Sequence, residues 1–175
     1  KYPIAEFLPL LNTNDDGHHV IAVANRTFAI IADDMLYSDK YPWGLDLEQK
    51  ILSVVTRDVS DKDYPHGQFV VLLEDGSIRL IWSDTYIKKI SDKNYISVAS
   101  GCGGLIFGLN SNGMVDVLFP EEDIMGITSE VKAWTGITQI DAGPRHVVGL
   151  KSDGTVVAAG KSTACKPLEG WKDIK

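Results

Sequence analysis

The sequence predicts an all-β, propeller-type repeat domain of about four blades, a partial propeller. Three observations carry this reading. Short runs of alternating apolar residues recur along the chain, Asp-Gly or Asn-Gly pairs separate them, and the arrangement returns roughly every 40 residues. Alternation with period two marks strands with a buried face. Glycine after Asp or Asn takes the positive φ that a tight hairpin needs.

The last third is clearest. Residues 136–160, GITQIDAGPRHVVGLKSDGTVVAAG, read as strand, glycine turn, strand, Asp153-Gly154 turn, strand. The same order recurs in YISVASGCGGLIFGLNSNGMVDVLF (95–119), turning at Asn112-Gly113, and in GQFVVLLEDGSIRLIW (67–82), turning at Asp75-Gly76. VIAVANRTFAIIADDMLYS (20–38), turning at Asp33-Asp34, is a fainter copy. Leu150, Leu109, Leu72 and Ile30 each stand four residues before the second turn residue, and those turn positions are 42, 37 and 41 residues apart. Trp134-Thr135-Gly136-Ile137 returns 37 residues on as Trp171-Lys172-Asp173-Ile174.

This grammar divides one domain into an N-terminal segment (1–17), a degenerate first repeat (18–50), three further repeats (51–92, 93–133, 134–170) and the opening of another (171–175). Helical repeats of similar period would show a 3.6-residue pattern, which is missing. The one helix-like stretch, about Leu45 to Val55, suits a strand equally well. A sandwich would supply short strands and turns, but gives no reason for a recurring Leu-x-x-Asp-Gly register.

Composition narrows the function. At 175 residues and 44% hydrophobic, the chain buries a real core of one domain. Seventeen basic against 24 acidic residues leave a net charge of −7, which disfavours nucleic acid and anionic membrane surfaces. No apolar run reaches the roughly 18 to 20 residues of a membrane-spanning helix. Two cysteines, Cys102 and Cys165, are too few for a disulfide framework or a four-ligand zinc site. Opening at Lys1, without Met or a signal-peptide pattern, is expected of a processed or partial chain.

DAGPRHVVGLKSDGTVVAAG (141–160), followed by Cys165 and GWKDI (170–174), resembles the regulator of chromosome condensation repeat. The nearest form is the short bacterial version, also seen in a secreted β-lactamase inhibitory propeller. Ala142-Gly143, His146, Leu150 and Asp153-Gly154 match the family pattern residue by residue. The match is specific over 134–174, fair over 95–119 and weak before residue 90. Ala159-Gly160 stands where the family has Trp-Gly, and Leu118-Phe119 has lost the glycine. The resemblance implies a ring of seven blades, so four blades here imply a piece of a longer protein, two chains sharing a ring, or a small closed ring. The first is the expectation, because an open array leaves an unpaired edge.

Other motifs point to ordinary turns. Asn12, Asn14, Asp16 and Gly17 have the spacing of half a calcium loop, but Val23 stands where the bidentate Glu belongs. GCGG (101–104) fails G-x-G-x-x-G at Ile106, and Gly108 to Gly113 lacks the Lys and Ser/Thr of a phosphate loop. His18, His19, His66 and His146 form no H-x-H or H-E-x-x-H pair, and Glu121-Glu122-Asp123 reads as a solvated loop. Asn25-Arg26-Thr27 is a glycosylation sequon that reads as an ordinary loop. No metal, cofactor or catalytic group is expected, and the chain reads as a non-enzyme.

A binding face is expected instead. Propeller repeats superpose equivalent loops on one rim, and the loops between the first two strands carry Asn25, Arg26, His66, Gln68, Arg145 and His146, with Cys102-Gly103-Gly104. The resemblance implies that partner proteins bind this face. The expected function is a protein-interaction module, with an extracellular or cell-surface setting slightly favoured over the cytoplasm. The alternatives are a structural or display segment of a larger bacterial surface protein, and a guanine-nucleotide exchange factor-like regulator. Trp43 and Trp82 would serve as stacking platforms in a carbohydrate binder, although Trp82 ends a strand and reads as core.

Overall fold

The computed structural model describes residues 20–24, 27–39, 43–57, 68–83, 85–92, 94–119, 123, 126–161 and 171–174. Their strands form four antiparallel sheets, each a meander of consecutive strands. Blade one holds β1 (Val20–Ala24), β2 (Thr27–Ala32), β3 (Met35–Ser38) and β4 (Leu45–Asp46). Blade two holds β5 (Ile51–Arg57), β6 (Gln68–Leu73), β7 (Ile78–Ser83) and β8 (Tyr86–Ser91). Blade three holds β9 (Tyr95–Gly101), β10 (Leu105–Asn110) and β11 (Val115–Val117), and blade four holds β12 (Ile137–Gly143), β13 (His146–Lys151) and β14 (Val156–Gly160). The first strands β1, β5, β9 and β12 lie side by side in that order, which makes them the inner strands of a propeller.

Blades two and three are buried on both faces, and β6 and β10 are accordingly near-continuous apolar runs. Phe69, Val71 and Leu73 of β6 meet Ala29, Ile31 and Leu36 of blade one. Val70 and Leu72, on the opposite face, meet Tyr95, Val98 and Ile106 of blade three. Phe107 and Leu109 of β10 pack with Ile137, Val147 and Ala159 of blade four. The two-residue alternation of a strand thus feeds two neighbouring cores.

The turns explain the Asp-Gly register. Gly76, Gly113 and Gly154 have φ of 76°, 74° and 80°, a region that costs an L-residue about 1–2 kcal/mol. Their carbonyls accept the first inner-strand amide of the next unit: Tyr95 to Gly76 and Ile137 to Gly113 at 3.0 Å, and Ile174 to Gly154 at 3.2 Å. A Cβ on Gly76 would stand 2.7 Å from the Asn94 Cα, so the next blade crosses where a side chain would be. The carboxylates of Asp75 and Asp153 accept the amides of Ser77 and Thr155 at 2.8 and 2.9 Å, while Asn110 does this work in blade three. The acid shapes the turn, and the glycine makes room for the latch.

Some expectations shift. Blade one closes on a two-residue turn, Asp33 at φ 49° and Asp34 at φ 59°. Ile31, paired with Leu36, therefore joins the blade-two core in place of Ile30. The stretch from Leu45 to Val55 is strand, turn and strand, with Glu48 at φ 60° between β4 and β5. Asp123 is no solvated acid: its carboxylate accepts the Gly126 amide (2.8 Å), the Thr128 amide (2.7 Å) and the Thr128 hydroxyl (2.6 Å). These bonds hold the loop that leads into the helix α1 (Thr128–Lys132), which lies against β11 and inserts Val131 into the core between blades three and four.

Candidate partner-binding rim

The candidate rim lies at the end of the blades opposite the Gly latches, where the inner strands turn into their neighbours. Arg57 ends β5 and Gln68 opens β6. The Arg57 guanidinium donates through Nη1 to Oε1 of Gln68 at 2.7 Å and through Nε to the Gly104 carbonyl of blade three. It also lies over the Phe119 ring, 5.4 Å from its centroid. Arg57 is buried, so this cation ties two loops together from beneath.

A second tie follows. The Cys102 amide donates to the Gly143 carbonyl at 2.8 Å, joining the β9–β10 turn to the β12–β13 turn. Cys102, Gly103 and Gly104 all have positive φ, so GCGG is a tight turn between β9 and β10. A Cβ on Gly101 would run into the Gly143 carbonyl and Ala142, which explains glycine at this close approach. In blade four, the Arg145 carbonyl accepts the Lys161 amide at 3.1 Å. Arg145 is exposed, and His146 is half-buried with its imidazole against Gly143.

The structure therefore brings the end of β5, the start of β6, the β9–β10 turn and the β12–β13 turn together at one end of the blades. Arg145 and His146 stand at its surface. Gln68, expected at the surface of the rim, is 3% exposed and accepts the Arg57 guanidinium. Asn25, Arg26 and His66 lie outside the described residues, as do the 12–17 motif, His18, His19 and Cys165. Sequence reasoning missed Arg57, whose position at a strand end gave no sign of the carbonyl it would meet. Trp82 is half-buried, edge to face with Tyr86 at 4.7 Å, and packs on the core between blades two and three; Trp43 is exposed. Among the described residues, no group of three or more His, Cys, Asp or Glu side chains is placed to hold a metal. Nor, among them, is any helix long and apolar enough to cross a membrane.

No curated protein matches the chain. Residues 137–164 match the regulator of chromosome condensation (RCC1) repeat. The structure is similar to Prp20p from Saccharomyces cerevisiae, with TM-score 0.58 and 14% identity over 81% of this chain and 44% of that one. It is similar to human WBSCR16 (TM-score 0.57, 14% identity, 85% of this chain and 49% of that one). It also resembles the ectodomain of the Physcomitrella patens receptor kinase CR4 (TM-score 0.60, 12% identity, 87% and 43%). The chain spans less than half the length of each, and at these identities the likeness is one of fold. Blade four is thus built on an RCC1 repeat, and the four sheets together have the fold of an RCC1-type β-propeller, traced here as four consecutive blades.

Proposed function

We propose that the chain is a protein-interaction module that presents the rim of inter-strand loops to a protein partner. The observation that carries this reading is the pair of ties, Arg57 to Gly104 and Cys102 to Gly143, which link the end of β5 to the β9–β10 turn and that turn to the end of β12. A preformed surface binds with little loss of loop entropy. Prp20p has binding properties toward Gsp1p and histones, and yeast RCC1 (Prp20) is seen bound to Kap60. Those partners belong to those proteins; what they support here is protein binding as the use of the scaffold.

The test compares two immobilised baits, the wild type and Arg145→Glu/His146→Ala, each with its fold checked by urea unfolding. A partner held by the wild type and weakened at least about tenfold by the double substitution, a loss of about 1.4 kcal/mol, supports the rim. Equal retention places the site elsewhere. No partner for a folded bait favours the structural or display segment. That second reading draws on the latch at Ile174, which continues the blade-to-blade pattern beyond blade four.

A further inference from the structure

The outer strand of blade two is basic on a chain that is acidic as a whole. Against a net charge of −7, residues 86–93 hold three lysines and one aspartate. β8 is the edge of its sheet and pairs, among the described residues, with β7 alone. Its register sorts the side chains between the two faces. Lys88 stands opposite Leu80, on the face toward blade three, and Lys89 stands opposite Arg79, on the other face. Both lysines are exposed. Lys89 is paired with Asp92 at 2.5 Å. Among the described residues no carboxylate pairs with Lys88, whose ammonium lies 5.8 Å from the centroid of the Phe119 ring.

Aromatic groups surround that ammonium. Tyr86, two residues before Lys88, meets Trp82 edge to face with the ring centroids 4.7 Å apart, and it is 58% exposed. Trp82, Ile90 and Phe119 are half-buried against the core between blades two and three. The Phe119 ring that Lys88 approaches also has the Arg57 guanidinium 5.4 Å from its centroid. Two cations on one ring, next to an exposed tyrosine, give an apolar surface a positive potential. Blade three has three strands among the described residues, so no fourth strand of that blade lies beside β8.

We propose that this face of β8 binds an acidic, extended segment of a protein partner, with a carboxylate against Lys88 and an apolar side chain on the Trp82–Tyr86 pair. Charge selects the occupant. A second copy of β8 would bring Lys88 and Lys89 against lysines, and like charges on paired strands are destabilising. The same lysines that keep an edge strand from pairing with itself attract an anionic strand. The edge offers an extended chain its outer backbone groups, and alternate side chains of that chain then fall on the aromatic face. A carbohydrate would use the aromatic pair without needing the lysine. The surface is distinct from Arg145 and His146, so it adds a second contact to the interaction module and stands whether or not the rim binds a partner.

The test is the fluorescence anisotropy of a fluorescein-labelled Glu-Val-Glu-Phe-Glu-Val-Glu peptide titrated with the whole chain at about 50 and about 300 mM NaCl. The expected result is saturable binding that weakens with salt and is lost when every Glu of the peptide is Gln. Lys88→Glu should weaken binding about fivefold or more, Lys88→Arg should preserve it, and Lys89→Glu should change it less than about twofold. Tyr86→Ser should also weaken it. These positions are exposed, and thermal melts by circular dichroism check that each variant keeps its fold. Arg145→Glu/His146→Ala should bind the peptide as the wild type does. No binding by the folded chain up to about 1 mM overturns the proposal, as do equal losses from Lys88→Glu and Lys89→Glu. Loss with the rim variant alone also overturns it, and assigns the acidic segment to the rim. Salt-independent binding of cellohexaose that Tyr86→Ser abolishes, with no peptide bound, overturns it in favour of a carbohydrate.

Discussion

At the scale of single residues, the latch glycines and Asp123 carry more than their size suggests. Gly76→Ala places a Cβ at positive φ and against the Asn94 backbone, so it should lose about 2 kcal/mol or more, a fall of at least about 4 °C in Tm. Thermal unfolding by circular dichroism checks this, and an unchanged Tm would remove the latch from the account. Partial burial pushes the Asp123 carboxyl up, but hydrogen bonds from the Thr128 hydroxyl and amide and from the Ile127 and Gly126 amides outweigh it and hold it below its ordinary value. The unfolded chain therefore takes up the proton first, near pH 4. The stability Asp123 contributes is full above that pH and is lost as pH falls through the lower folded value. Urea midpoints between pH 7 and 3 should drop less steeply for Asp123→Asn than for wild type, from a lower starting point at neutral pH.

At the scale of the element, blades two and three serve two cores and blade four only one, so the same substitution has different costs in different blades. Phe107 is fully buried between blades three and four, and Phe107→Ala should cost about 3–5 kcal/mol and about 10 °C in Tm. Val70 of blade two and Val148 of blade four hold equivalent register positions, the first fully buried and the second half-buried, so Val148→Ala should cost well under half of what Val70→Ala costs. Equivalent losses in urea unfolding would mean that the face of blade four is already covered. The helix α1 shows the same logic in another form. Among the described residues, blade three has no fourth strand, and α1 against β11 supplies Val131 to the core beside Trp134.

At the scale of the whole molecule, four blades in a row have two unequal ends and a shared middle. Contacts between neighbouring repeats dominate such an array, and stability is highest where a unit has a neighbour on each side. Hydrogen exchange followed by mass spectrometry should be slowest in β6 and β10, which are buried on both faces, and faster in β13 and β14. Uniform protection across the four sheets would mean that the end blades are as well supported as the middle ones. The acidic net charge of −7 does not enter this ordering, because the interfaces between blades are apolar.

The all-β class, the repeat and its turns were legible in the sequence because they rest on local chemistry. Alternating apolar runs, Asp153-Gly154 and its counterparts, and the return of Trp134-Thr135-Gly136-Ile137 as Trp171-Lys172-Asp173-Ile174 are all short-range patterns. The outer strands β4 and β8 were less legible, since Tyr86–Ser91 mixes lysines with isoleucines and shows little buried face. Tertiary structure alone decided the rest. That Ile31 faces blade two while Ile30 is buried on the opposite face follows from a turn two residues long, and that Gln68 is buried follows from a cation eleven residues earlier in the chain. Arg57 finds the carbonyl of Gly104 across a blade boundary, a partner 47 residues away that no window of sequence contains. Local patterns fix which residues form a blade; only packing one blade on the next fixes which of them remain for solvent and partners.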